Sequence, residues 1–212
     1  MRATFSMRHD AKGLAPGLLW AAHFVFLVAG IAMLGFAGYA VVDQYWYQRA
    51  EISRFEAVRA IPKPPAAVAP PIANGGVIGE LEVPRLKLKA MVVQGDSEQL
   101  LRRAVGHIPD TALPGETGNV ALAGHRDGIF RPLRNVLPGD SIIFRTPDRE
   151  FQYQVEWTAV VPPSAVRVIE PTSEPALTLV TCFPFYYVGA APERFIVRAR
   201  NIAALPRAPG AP

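Results

Sequence analysis

The chain holds a single cysteine, Cys182, at the end of the apolar, strand-like run Thr178-Leu179-Val180-Thr181-Cys182. A lone thiol cannot close an intramolecular disulfide, so packing or reactivity must account for it. As a nucleophile it would need help, because a thiol at the ordinary value near 8.5 is only about 3% thiolate at pH 7. A neighbouring positive charge favours the ionised sulfur. Two residue types that could supply it also lie beside apolar runs. His125 follows Asn119-Val120-Ala121-Leu122-Ala123-Gly124, and Arg194 opens the segment Arg194-Phe195-Ile196-Val197. An imidazole can take a proton from a thiol and return it to a leaving amine. A guanidinium stays charged and donates several hydrogen bonds to a carbonyl or an oxyanion. Composition and spacing leave His107, in Val105-Gly106-His107-Ile108-Pro109, as an alternative base, and Arg198 and Arg200 as alternative cations.

Other chemistries find little support. One cysteine and four scattered histidines supply no paired metal-ligand spacing. There is no G-x-S-x-G elbow and no phosphate-binding loop. The net charge of +4 is dispersed, without the basic stripe interleaved with aromatics that binds nucleic acid.

The elements that must position these groups come after a membrane signal. Residues 18–42 carry no Asp, Glu, Lys or Arg and include one histidine, His23. As a helix they would extend roughly 37 Å, enough for a hydrocarbon core of about 30 Å. Trp20 and the group Tyr45-Trp46-Tyr47 stand where interfacial aromatics belong. Arg2, Arg8 and Lys12 precede the span, so residues 1–17 are expected on the cytoplasmic side and the remainder outside. Gly38-Tyr39-Ala40 has the shape of a cleavage site, but signal-peptide apolar cores run only about 7–15 residues, which favours an uncleaved anchor. Residues 43–76 read as a helical stalk, with Ile52, Phe55 and Val58 on one face, followed by a proline-rich spacer from Ile61 to Pro71.

From residue 77 to 203 short apolar or alternating segments recur between Gly, Pro and Asp turns. They are 77–83, 86–93, 119–124, 141–146, 151–160, 176–181 and 195–202. This rhythm predicts a mostly β barrel or sandwich. Helix is expected only over 97–105, with Ser97 as N-cap, and over 130–135. Residues 204–212 are expected to form a flexible tail.

Taken together, these residues resemble the sortases, a family of membrane-anchored cysteine transpeptidases. Thr178-Leu179-Val180-Thr181-Cys182 matches the family's T-L-x-T-C pattern, Gly124-His125 its histidine segment, and Glu193-Arg194-Phe195-Ile196-Val197 its later arginine strand. Leu81-Glu82-Val83-Pro84, Gly106-His107-Ile108-Pro109, Pro114-Gly115, Gly118-Asn119 and Phe130-Arg131-Pro132-Leu133 extend the likeness from about Val77 to Ile202. Gly124-His125-Arg126-Asp127 and Thr181-Cys182-Phe183-Pro184-Phe185 look most like class D-type sortases, including those of Gram-negative bacteria; Gly128 and Phe183 depart from the commonest pattern.

The resemblance selects His125 over His107 and Arg194 over the other arginines. It implies an eight-stranded β-barrel with one or two short helices, and a reaction without a cofactor or metal. Cys182 would attack the threonine carbonyl of a C-terminal LPxTG-like sorting motif, and His125 would protonate the leaving amine. Arg194 would hold the motif and oxyanion, with Thr181 as a further oxyanion or substrate contact. An amine acceptor, on the cell envelope or another protein, would then resolve the thioacyl enzyme. The implied partners are a secreted protein bearing the motif and that acceptor. L,D-transpeptidases place their cysteine in Ser-x-Gly-Cys-x-Arg, which differs from Val180-Thr181-Cys182-Phe183. Papain-like proteases put cysteine before histidine, the reverse of the order here. A tethered β-barrel adaptor with an inert buried thiol is the non-enzymatic alternative; fast labelling of the folded protein by a thiol probe separates the two.

Overall fold

The computed structural model describes residues 15–60, 72–187 and 189–206. The basic N-terminal flank, the proline-rich spacer from Ile61 to Pro71 and the last six residues of the expected tail lie outside them. The chain divides into two compact units, residues 1–42 and 43–212. One helix, α1 (Ala15–Ala60), runs through the boundary.

In the first unit, Phe24, Phe26, Met33, Leu34 and Phe36 are exposed, and the most apolar window of the helix has a mean hydropathy of 2.3. A helix apolar on all sides has no reason to stay in water. It is the one helix among the described residues long and apolar enough to cross a membrane, which suggests a single-pass anchor.

In the second unit, eight strands close a barrel: β1 (Val77–Val83), β2 (Leu88–Gln94), β3 (Val105–His107), β4 (Asn119–Ala123), β5 (Ser141–Arg145), β6 (Arg149–Val161), β7 (Ala176–Phe183) and β8 (Glu193–Pro206). Their order round the barrel is β1-β2-β3-β4-β7-β8-β6-β5. Two neighbouring pairs, β2/β3 and β4/β7, are parallel, and the others are antiparallel. Seven strands coincide with the alternating segments of the sequence. The eighth, β3, has only three residues, too few to show a period.

Every second side chain of each strand fills the interior. Leu81 and Val83, Val120 and Leu122, Ile142 and Phe144, Phe151 and Tyr153, Leu177 and Leu179, and Val197 and Ala199 all belong to one buried cluster. Each large aliphatic or aromatic side chain so buried stabilises the fold by about 1.5–3 kcal/mol. Gly79 in β1 has no room for a side chain, since an added Cβ would lie 2.2 Å from the Arg145 carbonyl oxygen.

Helical structure in the barrel is shorter than the sequence suggests. The α-helix α2 covers only Glu98–Leu101, with Ser97 at its N-cap but no side-chain capping bond. Residues 131–135 form a 3-10 turn. The apolar residues of these segments serve tertiary packing, as with Leu133, which is fully buried. At the other end β8 continues to Pro206 by pairing Ala204, Leu205 and Pro206 with Phe151, Glu150 and Arg149, which shortens the expected tail.

The later part of α1 lies against the barrel within the second unit. The Asp43 carboxylate accepts two hydrogen bonds from Arg103, at 2.8 and 3.3 Å, and the Arg103 guanidinium lies over the Tyr47 ring. The Gln48 side chain accepts the Met91 N–H at 2.8 Å and donates to the Arg103 carbonyl. Phe55 is 5% exposed and Ile52 half-buried, whereas Val58 faces out. The exposed ion pair adds no more than about 1 kcal/mol.

Candidate active site

Strand β7 is the axis of the site. It pairs with β4 on one side and β8 on the other. Leu177 and Leu179 point into the core, so the strand's two-residue period turns Thr178, Val180 and Cys182 to the outer face. On β8, Cys182 is the direct cross-strand partner of Arg194. On β4, Ala121 pairs with Thr178 and Ala123 with Val180, and the Gly124 N–H continues the ladder to the Val180 carbonyl at 3.2 Å. The paired register ends at Ala123, and His125 follows two residues on in the loop at this end of β4, the same end of the sheet at which β7 reaches Cys182. Neighbouring strands lie about 4.8 Å apart, so Cys182 and Arg194 share the outer face at the barrel end where His125 leaves β4.

Local sequence explains why His125 ends the strand where it does. Gly124 faces inward under the fully buried Phe130 ring, and a Cβ there would fall 2.7 Å from a ring carbon. The chain then turns, with the N–H groups of Gly128 and Phe130 both bonding to the His125 carbonyl. The imidazole and the thiol are half-buried, accessible but sheltered from bulk solvent. Cys182 makes no disulfide. Nη1 of Arg194 donates to the carbonyls of Ala191 and Glu193 at 3.3 and 3.0 Å, which steadies the guanidinium on its own loop. Among the described residues Nε and Nη2 of Arg194 have no hydrogen-bond partner, which leaves donors for a ligand. Phe183, Phe185 and Phe195 pack with ring centroids 5.3–6.3 Å apart, and Phe185 and Phe195 rest on the barrel core beneath this end of β7 and β8.

The other residues singled out by the sequence are placed elsewhere. The Thr181 side chain is 3% exposed, and its hydroxyl donates to the Gly124 carbonyl at 2.7 Å. That bond ties β7 to the backbone just before His125. Thr181→Val should cost about 1–3 kcal/mol by leaving the carbonyl unpaired. Urea unfolding measures it, and turnover should fall with the lost tie. Arg198 lies under the loop between β6 and β7, bonding to the Val168 carbonyl at 2.9 Å with Trp157 against its guanidinium. Arg200 is exposed and bonds to Gln154.

His107 is buried. On β3 it pairs with Leu122 of β4, is 2% exposed, and its Nε2 lies 2.9 Å from the Ala112 carbonyl and 3.0 Å from the Thr111 hydroxyl. Nδ1 faces the Gln94 side-chain amide at 3.0 Å. Burial pushes the His107 imidazole below its ordinary value, with the Ala112 bond opposing. The neutral ring is therefore favoured in the fold. Stability from this residue is complete above the unfolded value near 6.5 and declines as pH falls below it. The thermal midpoint should drop between pH 7 and pH 5, and the drop should be smaller in His107→Gln.

A cleft lined by Thr111, Glu116, Asn119 and Ile169 opens at the start of β4, the end away from His125. Among the described residues no three His, Cys, Asp or Glu side chains group as metal ligands. One site residue carried no clear signal in the sequence. Arg126 reads as a loop arginine but is 6% exposed and bonded into the chain that follows Cys182. Only the Gly-His-Arg-Asp wording of the resemblance touched it.

Comparison with known proteins agrees with this fold. Residues 81–202 match the sortase domain family. Sortase D of Bacillus subtilis (strain 168) is 30% identical over 83% of this chain and 95% of its own length. Sortase SrtE1 of Streptomyces coelicolor is 28% identical, over 97% of this chain and 64% of its own length. Among solved structures, a Clostridium perfringens Sortase D5 transpeptidase superposes with a TM-score of 0.58 at 31% identity, covering 62% of this chain and 82% of that one. Sortase E1 from Streptomyces coelicolor with a tripeptide in its active site gives 0.58 at 30% identity, covering 65% and 95%. The chain belongs to the sortase family of cysteine transpeptidases.

Proposed function

We propose that this protein is a membrane-anchored sortase that cleaves a C-terminal, LPxTG-like sorting motif and passes the acyl group to an amine. The observation that carries the reading is the pairing of Cys182 with Arg194 across β7/β8, supported by His125 following the end of β4, the strand that runs parallel to β7 on its other side. Cys182 thiolate attacks the carbonyl carbon of the motif threonine. The free donors of Arg194 receive the oxyanion and the motif backbone. His125, as imidazolium, gives its proton to the departing amine, and the C–N bond breaks. The thioester that remains is opened by an acceptor amine, since thiolate leaves readily; water in place of the amine would make the enzyme a peptide hydrolase. In this reading Thr181 fixes Cys182 against His125. A direct substrate or oxyanion contact would require its hydroxyl to leave Gly124. The reading needs no cofactor.

The likeness to Sortase D of Bacillus subtilis and to the Sortase D5 transpeptidase supports a class D-type enzyme. Arg2, Arg8 and Lys12 before the apolar helix support an N-terminus in the cytoplasm and a barrel outside the inner, or cytoplasmic, membrane. Protease added to intact spheroplasts should then digest the barrel and spare the N-terminus.

The test is incubation with LPxTG-type peptides, each with and without an amine acceptor. Mass spectrometry should find an acyl adduct on Cys182 that the amine releases as a ligated product. No adduct with any such peptide at any pH overturns the reading. Arg194→Ala should lower kcat/KM by about 10²–10³, the scale of losing an oxyanion donor. Arg194→Lys should recover little, because an ammonium cannot reproduce the planar fork.

A further inference from the structure

We infer that Arg126 is a positioning residue that locks the loop between β7 and β8 to the loop carrying His125, and so holds Arg194 and His125 in place against Cys182. Arg126 immediately follows His125, yet its side chain is 6% exposed. Its guanidinium collects three carbonyls from the chain that follows Cys182. Nη1 donates to Pro184 at 3.0 Å, and Nη2 donates to Tyr187 at 2.7 Å and to Gly189 at 3.3 Å. The Tyr187 ring lies 5.8 Å from the guanidinium carbon, and Nε meets the exposed Asp127 carboxylate at 3.3 Å. A buried cation satisfied mainly by neutral carbonyls is unusual, because it gives up hydration without a buried counter-charge. A bland surface arginine would not accept that cost.

The geometry shows what the arrangement does. The segment from Pro184 to Pro192 joins the end of β7 to the start of β8, so it connects the nucleophile to Arg194. Among its described residues none lies in a strand or helix that would set its path. Arg194 holds its last part through Ala191 and Glu193, and Arg126 holds its first part through Pro184, Tyr187 and Gly189. With Arg126 removed, three carbonyls lose their partner, and the stretch from Tyr187 to Gly189 loses these hydrogen bonds while Phe185 keeps its packing on Phe183 and Phe195. Arg194 and the His125 loop can then drift against Cys182. Lysine keeps the charge but offers a point donor on a flexible stem, which cannot span three carbonyls in the plane of a fork.

The turnover consequence rests on the transpeptidase reading; the effect on the thiol does not. The experiment therefore has two arms, on wild type, Arg126→Lys, Arg126→Ala and Tyr187→Leu. In the first, iodoacetamide alkylates Cys182 in the folded protein at pH 7 and at pH 10. The ratio of the two rates cancels changes in access and reports how well the neighbouring cations favour thiolate at neutral pH. It should fall about fivefold or more in both Arg126 variants, and about twofold in Tyr187→Leu, which removes the aromatic face from an exposed position of the loop. In the second arm, with motif peptide, kcat should fall about 10–100-fold with KM within about twofold, and methylguanidinium should restore part of it to Arg126→Ala. An unchanged rate ratio in Arg126→Lys overturns the proposal, and if the Arg126 variants do not fold, an unchanged ratio in Tyr187→Leu does so. A fallen ratio together with no acyl adduct in wild type would leave the lock standing and overturn the transpeptidase reading alone.

Discussion

Replacing Cys182 with alanine should remove the covalent intermediate altogether and lower turnover by at least about 10⁴. The expectation is that large because the chain has no second thiol to substitute. The hydroxyl of the preceding residue, Thr181, is buried and bonded to the Gly124 carbonyl. Intact-mass measurement of the variant with motif peptide should show unmodified protein at every time point. Cys182→Ser is informative in a different way. A hydroxyl is far harder to ionise than a thiol, and cations arranged to favour thiolate do not make a serine nucleophilic. The serine variant should therefore be nearly as inactive as the alanine variant. Turnover near wild type in either would show that the sulfur is not the nucleophile.

His125→Ala should lower kcat/KM by about 10³–10⁴ in the proposed function. Loss of general acid and base catalysis accounts for about 10²–10⁴. Loss of a neighbouring charge that favours thiolate adds to it. The leaving group discriminates between the two contributions. An amide substrate needs a proton delivered to its departing nitrogen, whereas an activated ester or thioester needs none. The variant should consequently lose much more activity on peptide than on a thioester carrying the same motif. An equal loss on both would assign His125 to thiol activation only. The fold should tolerate the change, since the His125 side chain is half-buried and its carbonyl makes the loop bonds to Gly128 and Phe130.

These effects depend on an arrangement only partly legible in the residues. The apolar run ending in Cys182, the Gly124-His125 turn and the barrel's alternating segments are local signals, written in neighbours two to four positions apart. Those signals correctly predicted seven of the eight strands. The shortest, β3, escaped because three residues between two partners gain their pairing from the sheet and not from their own pattern. Helix over 97–105 was overestimated for the opposite reason. Its apolar residues suggested a longer stripe, but α2 stops at Leu101 and the chain turns into β3. Choosing His125 over His107 was beyond spacing too; both follow apolar residues, and a family likeness decided it. In the structure His107 is sealed by Gln94, Thr111 and Ala112, and His125 is half-buried in the loop that follows β4.

By itself the sequence determined the kinds of group available, the anchor helix and the two-residue rhythm that makes a β-barrel. Each depends on side-chain chemistry or on periodicity within a short window. Only the tertiary structure decided that β7 would lie between β4 and β8, which brings strands far apart along the chain side by side. It also decided that Arg126 turns inward to three carbonyls, that Thr181 bonds across to Gly124, and that Gln48 of the long helix bonds to Met91 and Arg103. The physical reason is common to all of these. A hydrogen bond or a buried contact between distant segments is specified by strand order and register, which minimise unpaired backbone and exposed apolar surface over the whole fold.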